Sequence, residues 1–451
     1  MARWPLPGPP YSACVERRGR SEDREILRLA VPAFLALVAE PLFLLADSVI
    51  VGHLGTTQLA GLGIAGAVLS TLISLCVFLA YGTTASVARR IGAGDLAGAL
   101  AQGIDGVWLA AVIGVATTAC GVPLTPWLVG LFGPGPAVAD QAETYLRIGL
   151  VGAVPLLVML ASTGILRGLQ DTRTPLVVAV GGNLLNVVLN LWLVYGLGLG
   201  IAGSALGTVV AQGLSALALA VVVVRAARRH GASLRPSLTG IRGAGSPGVP
   251  LLLRTVTLRA SLLVMTYGAT TLGDTDLAAM QVAMTVWTFL AFALDAIAIA
   301  AQALTGRFLG AGDREGTRAI TRRMLRWGVV SGVLTGLVLA AVAPLLGPLF
   351  TGDRQVQELL VPVLLVAAVG QPLAGVVFVL DGVLIGAGDG RYLAWAGLVV
   401  LVVFAPAAWL GIAAGGTLVW LWVAFVVAFM GGRAVVLLRR AGGEAWIRLG
   451  A

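Results

Sequence analysis

The sequence predicts an all-α integral membrane protein: twelve transmembrane helices in two parallel six-helix repeats around a central cleft. Three observations carry that reading: an apolar, charge-poor composition, twelve apolar stretches of spanning length, and four motifs that recur at one constant offset. Of 451 residues, 58% are hydrophobic and 11% charged, whereas soluble domains carry about 25% charged residues. A span takes about 20 mostly apolar residues. The chain therefore accommodates a dozen spans and leaves no room for a large extramembrane domain.

Taken in order, the first twenty residues are rich in Pro and Arg and lack a short apolar core followed by a cleavage site. They read as a disordered cytoplasmic tail, set at 1–25, and not as a cleavable signal. Apolar segments follow at 29–51, 58–84, 99–122, 145–166, 174–196 and 200–224, forming an N-terminal lobe over 26–224. An Arg- and Gly-rich cytoplasmic loop at 225–250 leads to segments at 251–272, 279–306, 327–348, 359–386, 392–412 and 417–438. These make a C-terminal lobe over 251–438, and 439–451 is a cytoplasmic tail.

Charge orients the spans. With the N-terminus inside, twenty-six of the thirty arginines fall on the inner side, Arg147 and Arg354 fall outside, and Arg254 and Arg259 remain in segment seven. That bias places both termini in the cytoplasm of a multi-pass cell-membrane protein. It also accounts for the net charge of +9, so no nucleic-acid partner is required.

The halves repeat. LGTTQLAG from Leu54 returns as LGDTDLAA from Leu272, and RRIGAGD from Arg89 as RFLGAGD from Arg307. PLTPWLVGLF ending at Phe132 returns as AVAPLLGPLF ending at Phe350, and GILRGLQDTR from Gly164 as GVLIGAGDGR from Gly382. All four pairs are 218 residues apart. Six segments per half is an even number, so the repeats are parallel and related by an axis along the membrane normal, an architecture of alternating-access transporters. A duplicated scaffold without transport is the plain alternative.

Several classes are excluded. Every basic residue other than His is arginine, so there is no P-loop lysine for ATP-driven pumping and no Schiff-base lysine for pyridoxal or retinal; no cofactor is expected. Cys14, Cys76 and Cys120 lack metal-site spacing, and His53 and His230 are too few and too distant for zinc. Neither HExxH nor GxSxG occurs, so an enzyme is not expected.

Ionisable groups inside a bilayer are functional candidates: Glu40, Asp47, Asp105, Arg259, Asp295 and Asp381. Glu40 and Asp47 are seven residues apart, which puts both carboxylates on one helix face about 10 Å apart along the axis. Asn183, Asn186 and Asn190 share a face of segment five, and Thr208 and Gln212 share one of segment six. Together they could surround an acid that binds a proton or a sodium ion, or simply glue helices by hydrogen bonds. At the 218 offset Asp47 maps onto Met265, Glu40 onto Leu258 and Asn190 onto Ala408, while Asp295 and Asp381 map onto Val77 and Thr163. The scaffold is symmetric and the chemistry is not.

In the second lobe Arg259 lies about 12 Å from the inner end of its segment, and Asp295 and Asp381 about 16 and 8 Å from theirs. Arg259 is therefore expected to pair with one of these acids, as a lock or as a gate; Gln302 and Trp287, both in segment eight, complete the substrate or gate candidates. Asp105, near the inner surface, reads as a solvated or capping group. Trp108, Trp127, Trp420 and Trp422 suit interfacial anchoring, whereas Trp287 lies deep enough to line the cleft. The GxG in RRIGAGD and RFLGAGD follows no strand, so Asp95 and Asp313 read as helix caps.

These residues resemble the multidrug and toxic compound extrusion (MATE) family, in its DinF-like branch. The resemblance rests on EPLFLLADSVIVGHLG, RRIGAGD, NLLNVVLNLWLVYGLGLGIAGSALGTVVAQ, ALDAIAIAAQALTGRFLGAGD and FVLDGVLIGAGD, and covers nearly the whole chain after residue 22. It implies twelve helices in two bundles and antiport of organic, often cationic compounds against protons or sodium. By the same resemblance Asp47 matches the first-helix Asp of ion coupling, and Asn186 and Thr208 match its polar partners. Many members carry Asp where this chain has Asn190, which leaves open the ion and a compensating role for Glu40.

The expected function is thus an ion-coupled exporter of small organic molecules, using H+ or Na+ and working in the bilayer as a monomer. A flippase for lipid-linked precursors is the alternative, and it would need an arginine-lined cavity for which only Arg259 lies deep enough. A membrane-embedded enzyme or receptor is a third.

Overall fold

The computed structural model describes residues 18–246 and 248–450, with side chains from Glu22 onward. Cys14 and most of the tail at 1–25 lie outside the described residues. The helices, in order, are α1 Arg18–Gly52, α2 Thr56–Cys76, α3 Phe78–Gly92, α4 Leu96–Gly130, α5 Pro136–Val151, α6 Ala153–Gly168, α7 Arg173–Leu191 and α8 Gly200–Arg229. They continue with α9 Leu238–Gly245, α10 Gly248–Leu272, α11 Asp274–Gly310, α12 Arg314–Phe350, α13 Arg354–Gly386, α14 Gly390–Ala413, α15 Leu418–Ala424 and α16 Gly432–Gly442.

Eleven described helical stretches are long and apolar enough to cross a membrane, and α5 with α6, bent by 47°, makes a twelfth. Among the described residues no strand interrupts them. Each expected segment has its helix, and most run a turn or more further, because polar residues at the ends prolong a helix that the apolar run only anchors. Helix α1 begins at Arg18, so residues 18–25, read as disordered tail, are helical. The last residues are not a free tail either: Trp446 and Ile447 are buried.

Helix ends follow the side chains supplied for them. Asp95 accepts from the Gly98 amide at 2.8 Å and Asp313 from the Gly316 amide at 2.7 Å, as the caps of α4 and α12; each cap is worth about 1 kcal/mol. Asp105 receives the Ser237 amide at 2.9 Å. At 8% exposure it is not the solvated group expected, and it ties the start of α9, in the connection between the lobes, to the first third of α4.

Helix α7 shows how the bilayer inverts the soluble pattern. Val177, Leu184, Val188 and Leu191 are exposed, while Asn186 and Asn190 are buried. With hydrocarbon outside, apolar side chains lose nothing by facing out and amides must turn inward to find partners. Where helices meet closely, glycine removes the obstacle: Gly328, Gly332 and Gly336 form an i, i+4, i+8 stripe on α12, and a Cβ on them would come within 2.4 to 2.6 Å of α13 carbonyl oxygens. Such small-residue seams replace the hydrophobic effect, which does not drive helices together in lipid.

The two repeats meet at their arginine-rich ends. A Cβ on Gly306 would come 2.9 Å from the Ala88 Cβ, and Gln302 of α11 donates to the Tyr81 carbonyl of α3 at 2.6 Å. Helix α1 reaches across as well. Glu25 binds Arg307 at 2.7 Å, and Asp23 accepts from Arg323 and, at 2.7 Å, from Trp327.

Candidate functional site

Two polar constellations stand out, one in each repeat. In the first, Asp47 is 3% exposed in the C-terminal half of α1. Its Oδ1 accepts from the Asn190 amide at 2.7 Å and the Ser204 hydroxyl at 2.6 Å, and its Oδ2 from the Tyr145 hydroxyl at 3.2 Å. Beside it the Asn186 amide donates to Thr208 Oγ1 at 3.0 Å. Four helices, α1, α5, α7 and α8, thus converge on one carboxylate, and its hydrogen-bond donors are all neutral.

Two oxygens in this cluster have no donor. Asn186 Oδ1 and Asn190 Oδ1 are buried without a hydrogen-bond partner, an unusual state for buried carbonyl oxygens. The group therefore combines one carboxylate, two free amide oxygens and three hydroxyls. That set can hold a proton, or supply the hard oxygen ligands that an alkali cation takes.

The sequence placed Asp47, Asn186, Asn190 and Thr208 together, and the structure brings them together. It missed Ser204 and Tyr145. Ser204 precedes Thr208 and Gln212 by successive steps of four, so the polar stripe of α8 was readable one turn further. Tyr145 carries no comparable signal, because α5 reaches Asp47 only through the packed bundle. Asn183 bonds the Ala39 carbonyl at 3.0 Å, the helix-joining role.

Glu40 departs from expectation. It is exposed and makes no hydrogen bond with the Asp47 cluster; its electrostatic neighbour is Arg167. The two carboxylates are about 10 Å apart along α1, with Pro41 between them, and the partners of Asp47 all sit at the depth of Asp47.

The second constellation lines a cavity of about 300 Å³ between the repeats, whose wall includes Tyr81, Arg254, Arg259, Asp295, Asp381 and Arg433. Here the structure corrects the sequence. Arg259 pairs with neither acid; its guanidinium donates to the Ser74 hydroxyl. Asp381 is held instead by Arg254 at 2.6 Å and by Arg433. Counting from Gly248 and Gly386, the ends of α10 and α13, Arg254 and Asp381 both lie about 8 to 9 Å deep, while Arg259 is about 16 Å deep. Depth from the true helix ends decides the pairing.

Asp295 makes no ion pair among the described residues but lies within electrostatic range of Arg167 and Arg254. The expectation that only Arg259 lies deep is therefore wrong as well, since Arg254 and Arg433 also line the cavity. Gln302, named as a substrate or gate candidate, lines the cavity. Trp287 does not: it is 5% exposed and packs edge-on against Trp422 and Phe425. Trp422 belongs to the same aromatic cluster and not to the membrane interface. Trp108, Trp127 and Trp420 are exposed.

Comparison with known proteins then decides the family. The MatE family model matches residues 32–192 and again 250–410, two stretches that begin and end 218 residues apart. The chain belongs to the MatE family. It is 32% identical to the DNA damage-inducible protein F of Escherichia coli over 375 residues, covering 81% of each chain. It is 31% identical to the chloroplastic protein DETOXIFICATION 44 of Arabidopsis thaliana over 391 residues, covering 83% of this chain and 74% of the relative. A solved outward-facing multidrug resistance MATE transporter of the MOP superfamily superposes with a TM-score of 0.86 at 24% identity, covering 93% of this chain and 96% of the other. This MATE protein is a multi-pass membrane transporter of small compounds, not an enzyme, and MATE transport needs no cofactor.

Proposed function

We propose that the protein is a secondary antiporter that exports small organic compounds in exchange for protons or sodium, with Asp47 as the coupling site. The observation that carries this is a buried carboxylate whose donors are all neutral, flanked by two amide oxygens without partners. As an anion Asp47 accepts three hydrogen bonds. A proton on Oδ2 makes that oxygen a donor and weakens it as the acceptor of Tyr145; a sodium ion would instead recruit the Asn186 and Asn190 oxygens. Either event repacks α1 against α5, α7 and α8, and α1 also carries the Asp23 and Glu25 clamps to the other repeat. Ion binding at one end of α1 is thereby linked to closure at the other.

On this reading lobes at 26–224 and 251–438 rock about the connection at 225–250, both termini are cytoplasmic, and one chain suffices. The arginines of the cleft supply what the lipid-precursor flippase reading lacked, and that remains the second reading.

The test is gradient-driven export by purified protein in proteoliposomes, with pH and sodium gradients imposed separately. Export lost in Asp47→Asn supports the assignment, and undiminished coupled export in that variant rejects it.

A further inference from the structure

Outside the cleft several half-buried arginines fork across both oxygens of one carboxylate. Arg440 grips Asp389 through Nε at 2.6 Å and Nη2 at 3.2 Å, and Arg307 grips both oxygens of Glu25. Such forked pairs are the strong form of the interaction. The cleft breaks this pattern. Arg254 and Arg433 both direct Nη2 at a single oxygen, Asp381 Oδ2, and Arg254 Nε is buried with no acceptor at all. Arg259, on the same cavity wall, has only the Ser74 hydroxyl among the described residues.

The formal charge of the wall follows. Arg254, Arg259 and Arg433 face Asp295 and Asp381, an excess of one positive charge, with Arg254, Arg433 and Asp381 largely buried. Just outside that wall Arg167 and Glu40 offset each other. A cationic cargo would add to the excess, whereas one carrying a single negative charge would cancel it and supply acceptors to guanidinium donors that now share one oxygen. Most of the remaining wall is apolar, with Leu262, Phe292 and Phe378 among it, and Ser74, Tyr81, Thr255, Thr288 and Gln302 add neutral polar groups. Its volume of about 300 Å³ is at the small end of ligand sites, which run from about 300 to 1,000 Å³.

We infer that the cleft between the repeats binds a small amphipathic organic anion, a compact apolar body bearing one carboxylate or similar group that Arg259 and the Asp381-bound arginines receive. This names the cargo class of the exporter proposed above and departs from the cationic cargo that the family resemblance implies. For transport it rests on that proposal; for binding it does not.

The experiment therefore measures binding without a gradient. Three radiolabelled probes of one shape, naphthalene-1-carboxylate, its primary amide and naphthalen-1-ylmethylammonium, are equilibrated by dialysis with the purified full chain in detergent. The carboxylate is expected to bind at least about tenfold more tightly than the other two. Arg259→Gln should remove about that factor for the carboxylate alone. Arg259 is exposed and bound only to a hydroxyl, so this variant keeps its fold, where Arg254→Gln would strand Asp381. Preference for the ammonium, equal or absent binding of all three, or carboxylate binding unchanged in Arg259→Gln overturns the inference. Flux of the same probes from proteoliposomes separates the two proposals. Carboxylate binding without driven flux removes the exporter and keeps the anion site; driven flux of the ammonium alone does the reverse.

Discussion

Gly92 and Gly310 close the arginine-rich end of the cleft against each other's repeats. A Cβ on Gly92 would lie 1.9 Å from the Arg307 carbonyl oxygen, and one on Gly310 would lie 1.9 Å from the Arg89 carbonyl oxygen. The two contacts are the same contact seen from either side of the pseudo-twofold axis, since Gly92 and Gly310, like Arg89 and Arg307, are 218 residues apart. Any side chain at either position must hold the lobes apart. Gly310→Val is expected to leave each lobe folded and to cost the closed arginine-rich end about 1 to 3 kcal/mol. Hydrogen–deuterium exchange at the ends of α3 and α11 should rise, and unchanged protection there would show that the contact does not hold the lobes.

Around this crossing α1 supplies the charged part of the seal. Arg323→Gln removes both bonds that Arg323 makes to Asp23 and leaves Trp327 as its remaining donor. Because the pair is partly exposed, the expected loss is only about 1 kcal/mol, and it should shrink further at high salt. Wild type and variant opening faster alike in high salt, with no difference between them in low salt, would remove Asp23 from the seal.

Gln170 is the one described non-glycine residue with positive φ, at 63°. Its repeat mate is Gly388, at 72°. The strained conformation is retained where Gln170 Oε1 receives Arg307 at 2.8 Å. Gln170→Gly should relieve about 1 kcal/mol of backbone strain while loosening the arginine-rich end, so melting temperature and exchange protection at that end should move in opposite directions. Parallel movement of the two would refute this.

The C-terminal residues strap the same end. Arg89 of the first repeat donates to the Arg448 carbonyl at 2.9 Å, and the Gly450 amide donates to the Leu309 carbonyl at 3.0 Å. Trp446, 2% exposed, is the anchor. Trp446→Ala should cost about 3 to 5 kcal/mol and lower the melting temperature by several degrees; a shift within error would mean that the strap is dispensable.

At the proposed ion site, Ser204→Ala and Tyr145→Phe each remove one donor from Asp47 without adding charge. A hydrogen bond to a charged group is worth about 1.5 to 3 kcal/mol, so the ion concentration that gives half-maximal flux should change by about tenfold or more in each. Flux curves that superpose on wild type would exclude these residues from ion coupling.

Much of this was legible in the chain. The twelve helices follow from apolar runs, because a bilayer admits only backbones that satisfy their own hydrogen bonds. The two-repeat frame follows from one constant offset, and the gathering of Asp47, Asn186, Asn190 and Thr208 from helical periodicity. Ser204 stood one turn along a stripe already visible. Tyr145 could not be found this way, since its approach to Asp47 depends on where the bend at Gly152 aims α5.

Sequence by itself determined what each helix presents: which face is polar, which end carries arginine, and which repeat holds which acid. Tertiary structure alone decided the partners. Arg254 and not Arg259 meets Asp381, Trp287 turns from the cleft into an aromatic cluster, and Arg433, placed by sequence at the inner surface, reaches the cavity. Periodicity fixes direction around one helix axis, whereas an ion pair needs two axes to match in depth and rotation, and that match is set only when the helices pack.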